Sequence, residues 1–120
     1  TLRALTMISF LKRLFSMSES ISVREAAERQ KVGAVLVDVR EVDEFKAVAA
    51  PGAVNVPLSL IQKIGKDAYR NRGVDPDADG LLVICRSGGR SGMACGGLGG
   101  NAINVEGGML AWEAAGLPTA

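Results

Sequence analysis

The sequence predicts an α/β domain in which helices cover a mainly parallel sheet. Short apolar runs, each typical of a strand buried on both faces, recur along the chain. Segments with helical start and stop signals separate these runs, and strands that alternate with helices favour a parallel sheet. The chain has 120 residues, of which 48% are apolar, enough for one domain with a buried core.

The first eighteen residues differ from the rest. They carry basic residues and no acidic one, and their apolar residues fall partly at helical spacing, which predicts a short basic amphipathic helix. We therefore expect an N-terminal extension over residues 1–18 and the domain over residues 19–120. The extension could be a transit peptide or lie on a membrane surface. We favour a helix packed on the domain or on a second subunit, or a stretch that precedes an original start at Met7.

Local signals set the bounds of the other elements. Ser22 and Glu25 form an S-x-x-E capping box, which starts a helix that Gly33 ends. Gly116 is placed as the C-cap of the last helix. The stretch 65–80 is polar and rich in turn residues, which predicts a loop. In chain order we predict a helix at 22–30, a strand at 34–38, helical turns at 41–47, a turn at 51–52, a strand at 54–56, a helix at 57–64, a strand at 81–84, a helix at 91–98, a strand at 102–105 and a helix at 108–115.

The composition excludes several kinds of chemistry. The net charge of +1 gives no electrostatic case for nucleic-acid binding. The absence of histidine excludes a Ser-His-Asp triad, a Cys-His pair and any histidine metal site, and two cysteines cannot supply the four ligands of a structural zinc site. No apolar run approaches the ~20 residues that cross a bilayer. Two cysteines make no disulfide scaffold, which favours a reducing, cytoplasmic setting. We expect no cofactor and no metal.

The strongest local signal is the segment from Cys85 to Ser91, with the sequence CRSGGRS. It follows a buried strand, and ligand sites of open parallel sheets form beyond the carboxyl ends of the strands. The two glycines allow a tight turn whose N–H groups can point inward as an anion-binding nest. Arg86, Arg90 and a helix N-terminus add positive charge, so we expect Cys85 to be a nucleophile with a lowered pKa. The competing interpretation is an inert, buried cysteine.

Several motifs in one order resemble the signatures of a single family. The match covers residues 20–118 at nearly the family's spacing, which is more specific than one motif. The sequence is similar to the rhodanese homology domain, in particular to the single-domain thiosulfate sulfurtransferases. The first signature of the family is matched by Asp38-Val39-Arg40-Glu41 with Glu44-Phe45, followed by residues 51–57. Its active-site loop is matched by residues 85–91. Its C-terminal signature is matched by residues 104–108 with Ala111-Trp112 and residues 115–118.

The resemblance implies a rhodanese-like three-layer α/β/α fold around a central, mainly parallel five-stranded sheet. It also implies that Cys85 takes a sulfane sulfur from thiosulfate or a persulfide donor, carries it as a persulfide, and passes it to cyanide, a thiol or a protein acceptor. The loop amides would hold the persulfide and developing anionic charge. The alternative is a non-catalytic or carrier-type rhodanese module that binds a protein and relays sulfur.

The resemblance assigns roles to the residues around Cys85. Arg86 would help to bind the anionic donor, and Arg90 would brace the loop and add positive potential. Asp38 and Arg40 would be supporting residues beside the loop. We expect Glu106 to be structural and Trp112 to lie in the core. The substrate-binding set is Arg86, Ser87, Gly88, Gly89, Arg90 and Ser91.

Two other functions have weaker support. Cysteine-dependent phosphatases and arsenate reductases place five residues between cysteine and arginine, whereas four separate Cys85 from Arg90. By resemblance, the shorter loop suits sulfur.

Residues 75–80 match the opening of an EF-hand calcium-binding loop, but Arg86 stands where the bidentate Glu should be, so we favour an acidic surface turn.

The chain departs from the family pattern in two places. The residues before Pro51 lack the Gly-His-Ile that the family often has, which puts the local turn in doubt. Residues 92–100 are rich in glycine and about one turn short, and each interior glycine costs a helix ~1 kcal/mol relative to alanine. This segment could be held by packing or be short and frayed. Cys95 is expected to face the core, with a resolving role toward Cys85 as the alternative.

Overall fold

The computed structural model describes residues 19–120, so the helix expected over residues 1–18 lies outside the described residues. Strands and helices alternate over the described range, as the sequence predicts. The strands are β1 (Glu19–Ile21), β2 (Leu36–Asp38), β3 (Val54–Asn55), β4 (Leu82–Ile84) and β5 (Ile103–Val105). The helices are α1 (Val23–Lys31), α2 (Val42–Ala47), α3 (Leu58–Ile64), α4 (Asp67–Arg70), α5 (Gly89–Cys95) and α6 (Gly108–Ala114).

The five strands form one parallel sheet in the order β1-β5-β4-β2-β3. Strand β4 is the central one, and its last residue, Ile84, lies opposite Asp38 of β2. The carboxyl ends of these two strands are therefore level. Cys85 leaves the sheet at the middle of this edge.

Helices cover both faces of the sheet and give three layers. Neighbouring residues of a strand point to opposite faces. Leu36 and Leu82 accordingly pack in one apolar cluster, while Val37 and Val83 pack in the other. Trp112 of α6 is buried in the first cluster together with residues of α1. The predicted α/β fold with a five-stranded parallel sheet is thus confirmed, as is the core position of Trp112.

Two elements differ from the sequence prediction. The predicted loop at 65–80 contains the helical turn α4, because Ala68 and Tyr69 are buried against the core and hold this otherwise polar segment in place. The sequence does not predict strand β1, since its residues are exposed or half-buried and it pairs only with β5 at the sheet edge.

Several bounds also shift. Helix α5 begins at Gly89 rather than at residue 91 and ends at Cys95 rather than near Leu98, with Gly96 as its C-cap. The C-cap of α6 is Ala115, one residue before the predicted Gly116, which follows it with φ +71°. The side chain of Ser22 caps α1 as predicted, but Glu25 pairs with Arg29.

The turn at Pro51 forms although the preceding residues depart from the family pattern. The N–H of Ala53 donates to the C=O of Ala50 at 3.2 Å. Ala49 exchanges two backbone hydrogen bonds with Ala120, which holds the C-terminal end of the chain against this turn.

Candidate active site

Cys85 lies where the central strand ends, and helix α6 makes hydrogen bonds to the backbone at this point. Its side chain is 1% exposed. The C=O of Cys85 accepts a hydrogen bond from the N–H of Met109 at 2.8 Å, and the C=O of Arg86 accepts one from the N–H of Leu110 at 3.0 Å. The first turn of α6 is therefore tied to the start of the loop.

This close approach requires a residue without a side chain at Gly108. Its φ is +56°, a conformation that other residues rarely adopt. A Cβ there would collide with the backbone of Cys85 and of Arg86. The second glycine of the Gly107-Gly108 pair thus lets α6 reach the loop.

The Cys85 sulfur receives hydrogen bonds from the loop that follows it. The N–H of Gly88 donates to Sγ at 3.1 Å, and the hydroxyl of Ser91 lies 3.3 Å from Sγ in a donating geometry. Burial raises the pKa of the Cys85 thiol, but the hydrogen bonds from the Ser91 hydroxyl and from loop N–H groups outweigh it and hold the pKa below its ordinary value. The hydrogen bonds therefore stabilise the thiolate, which is the nucleophilic form, relative to that of an ordinary cysteine.

Ser91 links Cys85 to strand β5. It is fully buried, and its Oγ lies 2.5 Å from Oδ1 of Asn104 and 3.2 Å from the C=O of Gly88. The Asn104 amide in turn donates to the same C=O at 3.2 Å. The sequence placed Asn104 only in a C-terminal motif and did not suggest that its side chain reaches the loop.

Arg90 points sideways to helix α2. Its guanidinium makes two hydrogen bonds to the carboxylate of Glu44, at 2.7 Å and 2.8 Å. The Arg90 hydrogen bond is the main cause that lowers the pKa of Glu44 to about 2, and Glu44 in turn raises the pKa of Arg90. Glu44 was named in the first signature, but nothing in its spacing suggested this partner.

Arg86 differs from Arg90 in being available at the surface. Its side chain is exposed, as are Ser87 and Gly89, and among residues 19–120 it forms no hydrogen bond or ion pair. An incoming anion could therefore reach the Arg86 guanidinium without breaking an existing contact.

Asp38 and Arg40 form a buried ion pair beside the loop. Both side chains are almost inaccessible, and Nη2 of Arg40 lies 2.8 Å from Oδ2 of Asp38. The same guanidinium donates to the C=O of Val48 at 2.6 Å and to the C=O of Glu44 at 3.4 Å. The pair therefore fixes the end of α2 and, through it, the position of Glu44.

Cys95 lies at the C-terminal end of α5, in the same apolar cluster as Cys85 and Tyr69. Both cysteines are free thiols. Burial raises the pKa of its thiol to about 12. The thiolate is the form that attacks an oxidised sulfur, so the raised pKa of Cys95 does not support a resolving role.

The carboxylates of the acidic turn at residues 75–80 form ion pairs and hydrogen bonds with nearby residues. Asp77 pairs with Lys66 at 2.7 Å, and Asp79 accepts a hydrogen bond from the N–H of Asn101 at 2.8 Å. Over residues 19–120, no three Cys, Asp or Glu side chains cluster in a way that could hold a metal ion. None of the helices in that range is both long and apolar enough to cross a membrane.

Comparison with known proteins places these features in a family. The sequence pattern of the family described as "Rhodanese-like domain" matches residues 22–115. A sulfurtransferase of Allochromatium vinosum is 36% identical over 105 residues, which covers 84% of this chain and 89% of that protein. Thiosulfate sulfurtransferase 16 of Arabidopsis thaliana, a chloroplastic protein, is 34% identical over 120 residues, covering 83% of this chain and 91% of that protein.

A solved structure agrees with the sequence comparison. The crystal structure of a rhodanese-related protein from Thermoplasma volcanium superposes with a TM-score of 0.70 and 30% identity. The match covers 85% of this chain and 97% of that one. The three-layer arrangement around the central sheet is thus shared along nearly the whole of a related domain.

Proposed function

The chain belongs to the rhodanese-like domain family, and from that premise we propose that it is a sulfurtransferase that carries a sulfane sulfur on Cys85. Its relatives include proteins named sulfurtransferase, which supports sulfur transfer in general. The donor that we propose is thiosulfate or another anionic sulfane-sulfur compound. The acceptor is cyanide, a thiol or a protein.

The observation that carries the proposal is the setting of the Cys85 sulfur. It lies at the end of the central strand and accepts hydrogen bonds from the N–H of Gly88 and the hydroxyl of Ser91. A thiolate needs no histidine as its base when such donors stabilise it. The missing histidine therefore does not count against nucleophilic chemistry at this position.

The first half-reaction forms one bond and breaks one. The Cys85 thiolate attacks the outer sulfur of thiosulfate, a new S–S bond forms, and the S–S bond of the donor breaks. Sulfite leaves with the electron pair, so no oxidant is required. The N–H groups of Ser87, Gly88 and Ser91, which hydrogen-bond the Cys85 sulfur, would stabilise the negative charge of the persulfide.

The second half-reaction restores the enzyme. A nucleophilic acceptor attacks the outer sulfur of the persulfide, and Cys85 leaves as a thiolate. The hydrogen bonds that stabilise the Cys85 thiolate as a nucleophile also stabilise it as a leaving group, so the same donors assist both half-reactions.

Arg86 supports the choice of an anionic donor. It is exposed at the start of the loop and makes no ion pair among the described residues. Its positive charge would attract a dianion and orient its sulfonate end outward, with the sulfane sulfur toward Cys85. Arg90, by contrast, is engaged by Glu44 and would act on the loop position and its potential.

The test is the intact mass of the purified protein before and after thiosulfate. We expect a gain of one sulfur atom in the wild type and in Cys95→Ala, no gain in Cys85→Ser, and loss of the added sulfur after cyanide treatment. If only a persulfide donor loads Cys85, the protein is a carrier that takes sulfur from another source. If a folded, reduced protein gains no sulfur from either donor, the proposed function is wrong.

A further inference from the structure

The hydroxyl of Ser91 faces more acceptors than it has protons. Its Oγ lies 3.3 Å from the Cys85 sulfur, 3.2 Å from the C=O of Gly88 and 2.5 Å from Oδ1 of Asn104. A hydroxyl group donates one proton. The choice of acceptor therefore decides whether Cys85 receives a hydrogen bond from Ser91.

The C=O of Gly88 does not need that proton. It already accepts from the N–H of Gly92 at 3.1 Å and from Nδ2 of Asn104 at 3.2 Å. Two donors satisfy the two lone pairs of a carbonyl oxygen. The competition is therefore between Cys85 and Asn104.

The orientation of the Asn104 amide is set by its other contact. Because Nδ2 donates to the C=O of Gly88, Oδ1 must face Ser91. The reversed amide would place Oδ1 against the Gly88 oxygen, where two acceptors would repel each other. Asn104 can thus offer Ser91 only an acceptor.

We propose that Asn104 is a positioning residue that competes with Cys85 for the Ser91 proton and thereby favours the thiol over the thiolate. When Ser91 donates to Asn104, its oxygen presents a lone pair to the sulfur, which suits an S–H group. When Ser91 donates to the thiolate, two oxygens 2.5 Å apart have no proton between them and must separate. Formation of the thiolate therefore disrupts the contact between Ser91 and Asn104.

The proposal deepens the proposed function, because the protonation state of the nucleophile sets its reactivity. Charged groups also lie on the elements around Cys85: Arg86 and Arg90 in the loop, Glu44 on α2, the Asp38–Arg40 pair at the end of β2 and Glu106 after β5. All of them are unchanged in the variants below, so their effects cancel in the comparison.

The test is the rate of Cys85 alkylation by iodoacetamide as a function of pH, in four proteins. These are the wild type, Asn104→Leu, Ser91→Ala and the double variant. All four also carry Cys95→Ala, so that Cys85 is the only thiol that can be alkylated. Leucine has a similar shape to asparagine and cannot accept a hydrogen bond. We expect Asn104→Leu to lower the midpoint of the profile and to speed alkylation below it about 5-fold, the effect of one hydrogen bond.

The double variant separates a positioning role from a structural one. In the Ser91→Ala background, Asn104→Leu should leave the midpoint unchanged, because there is no proton to redirect. A midpoint that stays or rises in Asn104→Leu, or that falls equally in both backgrounds, would overturn the proposal. Alkylation uses no sulfur donor, so this result is independent of whether the protein loads sulfur.

A second measurement needs no substitution at Asn104. In the NMR spectrum of the ¹⁵N-labelled protein, the side-chain amide signals of Asn104 should shift with the same midpoint as Cys85 titrates. The shift should disappear in Ser91→Ala. Signals that do not respond to Cys85 in the wild type would contradict the proposal even if Asn104→Leu fails to fold.

Discussion

The guanidinium of Arg90 and the carboxylate of Glu44 meet through two hydrogen bonds, at 2.7 Å and 2.8 Å, although the residues are 46 positions apart in the chain. The pair joins the end of the Cys85 loop to helix α2. Arg40 holds the other end of α2 through the carbonyl of Val48. The loop is thus braced from outside, and the glycine-rich helix α5 is not its only support.

Replacement of Glu44 by glutamine should reduce stability in a pH-dependent way. The pKa of Glu44 is lowered from 4.5 to about 2, with Arg90 as the main cause. A lowered pKa contributes stability that is complete above 4.5 and is lost as the pH falls toward 2. The pair is about a third exposed, so we expect a loss of about 1 kcal/mol in Glu44→Gln at pH 7.

Urea unfolding at pH 7, 5, 4 and 3 measures this difference. It should be constant between pH 7 and 5 and shrink below that range. Glu113→Gln is the control, since Glu113 is exposed on α6 and the charge change is the same. An equal loss in both variants would mean that net charge, rather than the Arg90 contact, is responsible.

Replacement of Arg86 by glutamine should weaken donor binding more than chemistry. Arg86 is exposed beside Cys85, and one charge near a bound anion contributes about 1 kcal/mol at the surface. We expect the KM for thiosulfate to rise about 5-fold with little change in kcat, and the effect to shrink at high salt. Steady-state kinetics at two ionic strengths tests this, with Arg72→Gln as an exposed control. A fall in kcat at unchanged KM would assign Arg86 to the transition state instead.

The two cysteines should behave oppositely toward alkylation. Cys85 has a lowered pKa, whereas burial raises the pKa of Cys95 to about 12. At pH 7.5 the native protein should take up one iodoacetamide group, on Cys85, and the urea-unfolded protein two. Cys95→Ala should keep sulfur loading and lose about 1–2 kcal/mol of stability from the core. Peptide mapping identifies the site, and a native adduct on Cys95 would show that α5 opens.

Much of the fold could be predicted because its signals are local. The apolar runs at β2 and β4 and the serine cap of α1 follow from short stretches of sequence. Helix α4 could not, since this short polar segment depends on the packing of Ala68 and Tyr69 in the folded core. Strand β1 likewise depends on its partner β5 rather than on its own residues.

The candidate active site likewise has features that the sequence predicts and features that it does not. The position of Cys85 after a buried strand and the glycine turn can be predicted from the sequence, because both lie in one continuous stretch, residues 81–91. The contacts that Arg90 makes with Glu44 and that Ser91 makes with Asn104 join distant segments. These side chains meet only because the folded sheet brings their segments together. The role of Cys85 as nucleophile remains a prediction that the sulfur-loading experiment tests.

Gly108 and Gly116 offer a matched test of whether α6 positions the loop. Both have positive φ, +56° and +71°, so alanine at either costs about 1–2 kcal/mol of backbone strain. A Cβ at Gly116 would meet open space, but one at Gly108 would collide with the backbone of Cys85 and Arg86. Gly116→Ala should therefore lose only that strain energy and load sulfur normally.

Gly108→Ala should lower both the stability of the domain and the rate of sulfur loading more than Gly116→Ala does. The collision would push α6 away and break the hydrogen bond from Met109 to the Cys85 carbonyl, so we expect a loss of about 3 kcal/mol or more. Sulfur loading should fall at least about 10-fold, since a displaced loop no longer directs its N–H groups at the sulfur. Urea unfolding and the loading rate of the folded fraction measure the two effects. If loading in Gly108→Ala matches that in Gly116→Ala, α6 stabilises the domain without positioning Cys85.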